Sequence, residues 1–187
     1  PYILRSHDHR GFYLIATDLS IHRNGDWGRA QTAASQSIIV WESEDLVTWR
    51  ETGPVMQGRA RYWDELIGSG PPPFKTREGW LHIYHGVATH FLGSNVYQAG
   101  AVLLDLEDPR QVLARTRDNI LEPRETWELT GQVPNVVFPG GLTVSRQDAE
   151  GYADSGAEVR LYYGAADTVV GMATATVSDI IAACHTG

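Results

Sequence analysis

A single cysteine, Cys184, leaves the chain without an internal disulfide and without a cysteine-based zinc site. Long apolar runs are missing too, and none approaches the ~20 residues that a membrane-spanning helix needs. Basic residues are outnumbered, 15 Lys and Arg against 23 Asp and Glu, giving a net charge of −8. With no Lys/Arg cluster, that balance argues against nucleic acid or an anionic membrane as partner. Phenylalanine is scarce, 4 against 6 Trp and 8 Tyr, so most aromatic rings carry a polar handle. The rest is ordinary: 187 residues, 42% hydrophobic and 20% charged, enough for a real core and unlike a disordered or collagenous chain. Residue 1 is Pro, with no basic n-region or cleavage pattern behind it. No signal peptide is visible, and the expected compartment is the cytoplasm.

What is present repeats. Gly11-Phe-Tyr-Leu-Ile-Ala-Thr17, Gly79-Trp-Leu-His-Ile-Tyr-His85 and Val159-Arg-Leu-Tyr-Tyr-Gly-Ala165 are alike, each a short aromatic and β-branched run. A second run follows each, at Gln36–Trp41, Tyr97–Leu104 and Val169–Ala175, and then an acidic turn at Ser43–Leu46, Asp105–Pro109 and Ser178–Ile181. The tyrosines Tyr13, Tyr84 and Tyr163 stand 71 and 79 residues apart, which suits four strands joined by substantial loops. Near-continuous apolar runs point to strands buried on both faces, as in stacked blades. The expectation is an all-β propeller present as about three blades, whereas closed propellers generally have four to eight. A fragment, a recombined chain, or a homo-oligomer or partner chain completing the ring would account for that number. The best helix candidate is Asp179–Cys184 with Ser178 as N-cap. Ser20–Gln36, containing Asn24-Gly25, and Ser145–Glu158 read as polar loops, and Pro71-Pro72-Pro73 cannot sit inside a central strand.

From about residue 61 onward the sequence resembles glycoside hydrolase family 130, the β-mannoside phosphorylases and mannosidases. The words that carry the resemblance are Ile67-Gly-Ser-Gly-Pro-Pro-Pro73, Gly79–Gly86, Tyr97-Gln-Ala-Gly100, Leu103–Pro109, Ile120-Leu-Glu-Pro123, Val133–Pro139 and Tyr162-Tyr-Gly-Ala-Ala-Asp-Thr168. Residues 1–57, with Pro1-Tyr-Ile-Leu, Phe12–Asp18 and Trp41–Trp49, resemble instead the first blade of glycoside hydrolase family 43. The implied organisation is a family 43-like blade over 1–57 followed by family 130-like blades over 58–187. Both families are five-bladed propellers. In family 43 the catalytic base is an Asp that would precede Pro1. In family 130 the general acid lies in a Lys-Asp-x-x-Leu-Phe-Pro-like context, and no segment matches it. The resemblance therefore leaves the catalytic acid unassigned.

The same resemblance makes Asp167 a carboxylate that binds the mannosyl unit, and places His85 and Tyr97 at positions that contact phosphate in phosphorylases. The plainer alternatives are a turn Asp at a strand end for Asp167, a packed strand-end histidine for His85 and a core aromatic for Tyr97; for Asp167 the whole motif favours the sugar-binding reading. Leu66 departs from the family pattern, because phosphorylases carry Lys or another basic residue there and leucine offers an anion nothing. Gln98 also stands where a basic residue is frequent. Glu65 is then a weak candidate base, read more readily as a solvated acid. Glu122 and Glu125 could pair, but their context suggests an outer strand or exposed turn. Trp63 and Trp127 are candidate sugar platforms, while Trp80 belongs to the core. The expected activity is hydrolysis of a β-linked mannose-containing oligosaccharide. The alternatives are a β-mannoside phosphorylase and a catalytically inactive carbohydrate-binding propeller fragment. No metal or cofactor is expected, and inorganic phosphate would be a co-substrate only in phosphorolysis.

Overall fold

The computed structural model describes residues 2–17, 37–89 and 93–186. Pro1 and the loop read at Ser20–Gln36 lie outside the described residues. Three antiparallel sheets follow one another along the chain. The first runs in order β1 (Tyr2–Arg5), β2 (Phe12–Thr17), β3 (Ser37–Ser43), β4 (Arg50–Gln57). The second is β5 (Leu66–Ser69), β7 (Gly79–Ala88), β8 (Val96–Leu104), β9 (Val112–Arg115), with the short β6 (Phe74–Thr76) also paired to β7. The third is β10 (Val137–Val144), β11 (Glu158–Ala165), β12 (Val169–Thr176). Two helices complete the description, α1 (Thr126–Leu129) and α2 (Val177–His185).

The sheets are blades because their faces pack on one another. Alternation along β7 and β8 sends Trp80, Tyr84, Val102 and Leu104 to one side, where they meet Ile15, Ile38, Val40 and Met56 of the first sheet. Leu81, Ile83, Ala101 and Leu103 point the other way, against Val159 and Leu161 of the third sheet and Val177, Ile180 and Ile181 of α2. The middle sheet is thus apolar on both faces, which is what its unbroken apolar runs anticipate. Pro71-Pro72-Pro73 lies between β5 and β6, outside any strand.

Two local expectations change. The helix expected over Asp179–Cys184 is present as the longer α2, which takes in the acidic turn read at Ser178–Ile181, with Val177, Ile180, Ile181 and Cys184 on one buried face. Its N-cap is Thr176, whose side chain accepts a hydrogen bond from Asp179 N, while Ser178 Oγ lies 3.0 Å from Thr176 Oγ1. The segment read as a polar loop at Ser145–Glu158 is also tied into the core. Ala153 and Ala157 are buried in the core, and Ala153 N donates to Lys75 O at 2.8 Å.

Truncation of Ile83 to Ala, at a side chain packed from both blades, should lower the unfolding free energy by about 2–5 kcal/mol. Val47→Ala, at an exposed turn, should change it by less than about 0.5 kcal/mol. Denaturant unfolding followed by tryptophan fluorescence measures both, and equal effects would contradict the stacked-blade core.

Candidate active site at the ends of the second and third blades

His85 lies in β7 opposite Gly68 of β5 and Ala99 of β8. A Cβ at residue 68 would stand 2.3 Å from the imidazole, so the ring rests directly on the glycine backbone. This gives Gly68 of the Ile67-Gly-Ser-Gly word a physical role. On its other side the ring meets Phe138 at 4.3 Å and Tyr97 at 6.2 Å between centroids. His85 Nδ1 is buried and has no hydrogen-bond partner among the described residues. Burial pulls the His85 pKa down to about 4, and it does the same for His82, which is fully enclosed with Nε2 3.1 Å from Ser69 Oγ. Both rings are neutral at pH 7. A neutral imidazole with a free nitrogen can donate to, or accept from, a hydroxyl, a water or a phosphate oxygen.

Asp167 occupies the tight β11–β12 turn. Ala166 and Asp167 both have left-handed backbones, φ 47° and 51°, and Thr168 N closes the turn on Ala165 O at 3.0 Å. The Asp167 side chain is exposed. A two-residue segment links it to Tyr97: Asn135 O accepts from Tyr97 N at 3.0 Å, and Val136 O accepts from Ala166 N at 3.1 Å. The structure therefore brings His85, Tyr97 and Phe138 together, with the Asp167 turn flanking the same strand start. Phe138 was contained in a family word but not singled out, because an outward aromatic on a strand gives no sign of which ring it meets.

The remaining candidates separate. Glu65 is half-buried and takes a hydrogen bond from Thr89 Oγ1 rather than from His85. Leu66 is half-buried and pairs with Val87. Gln98 is buried, its Oε1 accepting from Asn119 Nδ2 at 2.6 Å, so its amide serves the scaffold. Glu122 takes Arg124, at 2.7 Å, and Asn119. Glu125 is exposed and precedes α1, so the two glutamates do not form a carboxylate pair. Trp80 is in the core, as expected. Trp63 is not a free platform, because it stacks on Tyr84 at 5.8 Å and donates Nε1–H to Arg117 O at 2.8 Å. Trp127 is half exposed on α1.

Sequence reasoning missed two buried carboxylates. Asp64, with no exposed surface, accepts from Arg59 (2.8 Å), Arg115 (2.5 Å) and the Tyr84 hydroxyl (2.9 Å). Glu128 accepts the Tyr163 hydroxyl at 2.6 Å. The available signal was the repeated tyrosine, since a buried phenol needs a partner. A cleft of about 570 Å³ over Asp8, Glu42 and Asp45 lies elsewhere. Its Asp45 is held at a pKa of about 2 by backbone N–H groups of Thr48 and Val47, which is turn chemistry. Among the described residues no group of three metal-ligating side chains gathers.

Three stacked blades of four, five and three strands, with ligand-capable side chains gathered at strand ends, define part of a five-bladed β-propeller of the carbohydrate-active type. The chain belongs to glycoside hydrolase family 130: the family model described as beta-1,4-mannooligosaccharide phosphorylase matches residues 27–186. A 1,2-beta-oligomannan phosphorylase of Thermoanaerobacter sp. is 42% identical over 139 residues, covering 74% of this chain and 42% of that protein. The beta-1,2-mannobiose phosphorylase of Listeria innocua, solved with beta-1,2-mannobiose, superposes with a TM-score of 0.70 at 31% identity over 95% of this chain and 44% of its own. A second structure, from work on family members that are hydrolases of beta-1,2 mannosidic linkages in Candida mannan, gives a TM-score of 0.66 at 25% identity, over 90% of this chain and 44% of its own. The chain thus spans about two fifths of these relatives.

The buried histidines generate a pH prediction. In the unfolded chain imidazoles titrate near 6.5, while the folded rings are held near 4. Their contribution to stability is complete above pH ~6.5 and is lost as the pH falls from there towards 4, where only the unfolded state takes up protons. In a proton NMR titration, the Cε1–H signals of His82 and His85 should stay at their neutral positions from pH 8 to pH 5. A midpoint near 6.5 for either would refute the enclosed placement of that ring.

Proposed function

We propose that this chain carries part of the site of a β-mannoside phosphorylase, which transfers a mannosyl unit from a β-mannoside to inorganic phosphate. In that reaction a phosphate oxygen forms the new bond to the anomeric carbon as the glycosidic C–O bond breaks. The departing oxygen takes a proton from a general acid that no residue of this chain has been assigned to supply. The observation that carries the reading is the unpartnered, buried Nδ1 of His85 grouped with the Tyr97 ring. That is an unmet hydrogen-bonding group at a position the family uses for the anion. Asp167, exposed on its turn, is then the ligand of sugar hydroxyls. The phosphorylase activities named for the Thermoanaerobacter and Listeria relatives favour phosphorolysis over the hydrolysis expected from Leu66 and Gln98.

Hydrolysis stands as the second reading on one observation. Leu66 presents an apolar side chain where a phosphorylase of the family carries a cation, and a phosphate dianion without charge-assisted donors is poorly held. A hydrolase needs no such cation; it needs a base and room for water.

Incubation with β-linked manno-oligosaccharides, with and without phosphate, separates the readings. Mannose 1-phosphate formed only with phosphate supports the proposal, and free mannose released at the same rate without phosphate overturns it in favour of hydrolysis. In the phosphorylase case Leu66→Lys should lower the KM for phosphate. Asp167→Asn should weaken oligosaccharide binding by about ten- to a hundredfold, the worth of one charged hydrogen bond. Saturable binding lost in Asp167→Asn, with no turnover under either condition, would reduce the chain to a binding module.

A further inference from the structure

The second and third blades are entered in the same way. Before each first strand a carboxylate is buried, and the tyrosine of the blade's middle strand closes on it: Tyr84 on Asp64, Tyr163 on Glu128. At Asp64 two arginines complete the set. At Glu128 the partners are backbone, and they lead towards Asp167.

Glu128 is 3% exposed. Its Oε2 accepts from Arg124 N and Glu125 N, both at 2.8 Å, and its Oε1 from Tyr163. Its own carbonyl accepts from Val136 N at 3.1 Å. One residue thereby fixes the start of α1, the middle of β11 and the entry to β10. From Val136 the bonds continue to the turn. Val136 O accepts from Ala166 N (3.1 Å), Val133 N donates to Ala166 O (3.2 Å), and Gln132 N donates to Thr168 Oγ1 (3.0 Å). Thr168 Oγ1 in turn donates to Ala166 O at 2.9 Å. Gly131 lets the loop come this close, because a Cβ there would stand 2.5 Å from both Ala166 O and Thr168 Oγ1. The residues on both sides of Asp167 are held from outside the hairpin. Two successive left-handed residues make the turn that antiparallel hairpins favour, at a steric cost for L-residues such as Ala166 and Asp167, and this loop adds hydrogen bonds to the turn from outside the hairpin.

We propose that Glu128, clamped by the Tyr163 hydroxyl, is the positioning residue for Asp167: it braces loop 124–136 against the β11–β12 turn and so sets where the Asp167 carboxylate stands. The functional half of this statement rests on Asp167 as a sugar ligand. The competing account is a buried polar pair that stabilises the third blade and does nothing for the turn.

Three variants of the full chain separate the two. Tyr163→Phe removes one hydroxyl and keeps the ring. Glu128→Gln keeps the shape and an acceptor, and serves as the conservative rescue. Thr168→Val, at an exposed position, cuts the Gln132 link without touching the core. Hydrogen exchange at the Ala166 and Val133 amides is read by NMR, with the β7 and β8 amides as reference. Binding of β-1,2- and β-1,4-mannobiose is read by calorimetry. The brace predicts exchange at Ala166 and Val133 at least about tenfold faster in Tyr163→Phe and Thr168→Val, while the β7 and β8 amides keep their wild-type rates. Mannobiose affinity should fall at least about fivefold in both, with Glu128→Gln between them and the wild type. Unchanged exchange at Ala166 and Val133 in both variants overturns the brace. Faster exchange with unchanged affinity overturns the positioning role. If the wild type shows no saturable mannobiose binding, the reading of Asp167 as a sugar ligand fails, and exchange alone still decides the brace.

Discussion

A sheet covered on both faces constrains everything attached to it. In this chain β7 and β8 place alternate side chains in two different cores, so a register slip of one residue would exchange the contents of both. The first and third blades take their positions from those two faces. So does His85: its ring is held flat on Gly68 because β5 and β7 are paired residue by residue beneath it. The neutrality of that ring, and its unpartnered nitrogen, are consequences of packing.

Burial on both faces leaves little place for charge, and the exceptions are informative. Asp64 is enclosed with Arg59, Arg115 and Tyr84, an arrangement whose attraction is offset by desolvation, so its main effect is on which geometry forms. Arg59 comes from the segment entering the second blade and Arg115 from its last strand. The carboxylate thus joins the beginning and the end of one blade through its middle strand. Glu128 repeats the device without arginines. Burial alone would raise its pKa, but the bonds from Arg124 N, Tyr163 and Glu125 N outweigh it and hold the carboxyl below its usual range. Tyr163 is pushed up to about 12, by burial first and by the same carboxylate second. Each keeps the other in the protonation state that the bond requires.

The blades were legible in the sequence because burial on both faces writes itself as an unbroken apolar run, and the three tyrosines mark the same strand three times. The acids were not legible. Asp64 and Glu65 are adjacent, yet one is enclosed in an ion network and the other half-buried beside Thr89. Glu122, Glu125 and Glu128 lie three apart, and only Glu128 is buried. Composition and spacing cannot tell such neighbours apart, since the difference is made by Tyr84 and Tyr163, twenty and thirty-five residues away. Trp63 read as a sugar platform for the same reason: its stacking partner is remote in sequence. Ser178 read as the N-cap of α2, and Thr176 takes that place because the helix begins at Val177, directly after β12.

The charge at the site decides between the two chemistries more sharply than the fold does. Among the described residues at positions read as anion contacts from the sequence, His85 is neutral by burial, Leu66 is apolar and Gln98 is spent on Asn119. The buried guanidinium groups of Arg59 and Arg115 answer to Asp64. A phosphate dianion brings two negative charges to a chain that already carries eight in excess, and such an anion is held by charge-assisted donors. Phosphorolysis by a protein containing this chain therefore depends on cations beyond these residues. Hydrolysis depends instead on a base beyond them, since Glu65 is engaged by Thr89. What the described blades supply to either chemistry is a packed neutral imidazole at His85 and an exposed turn carboxylate at Asp167, and each chemistry needs a further charged group beside them.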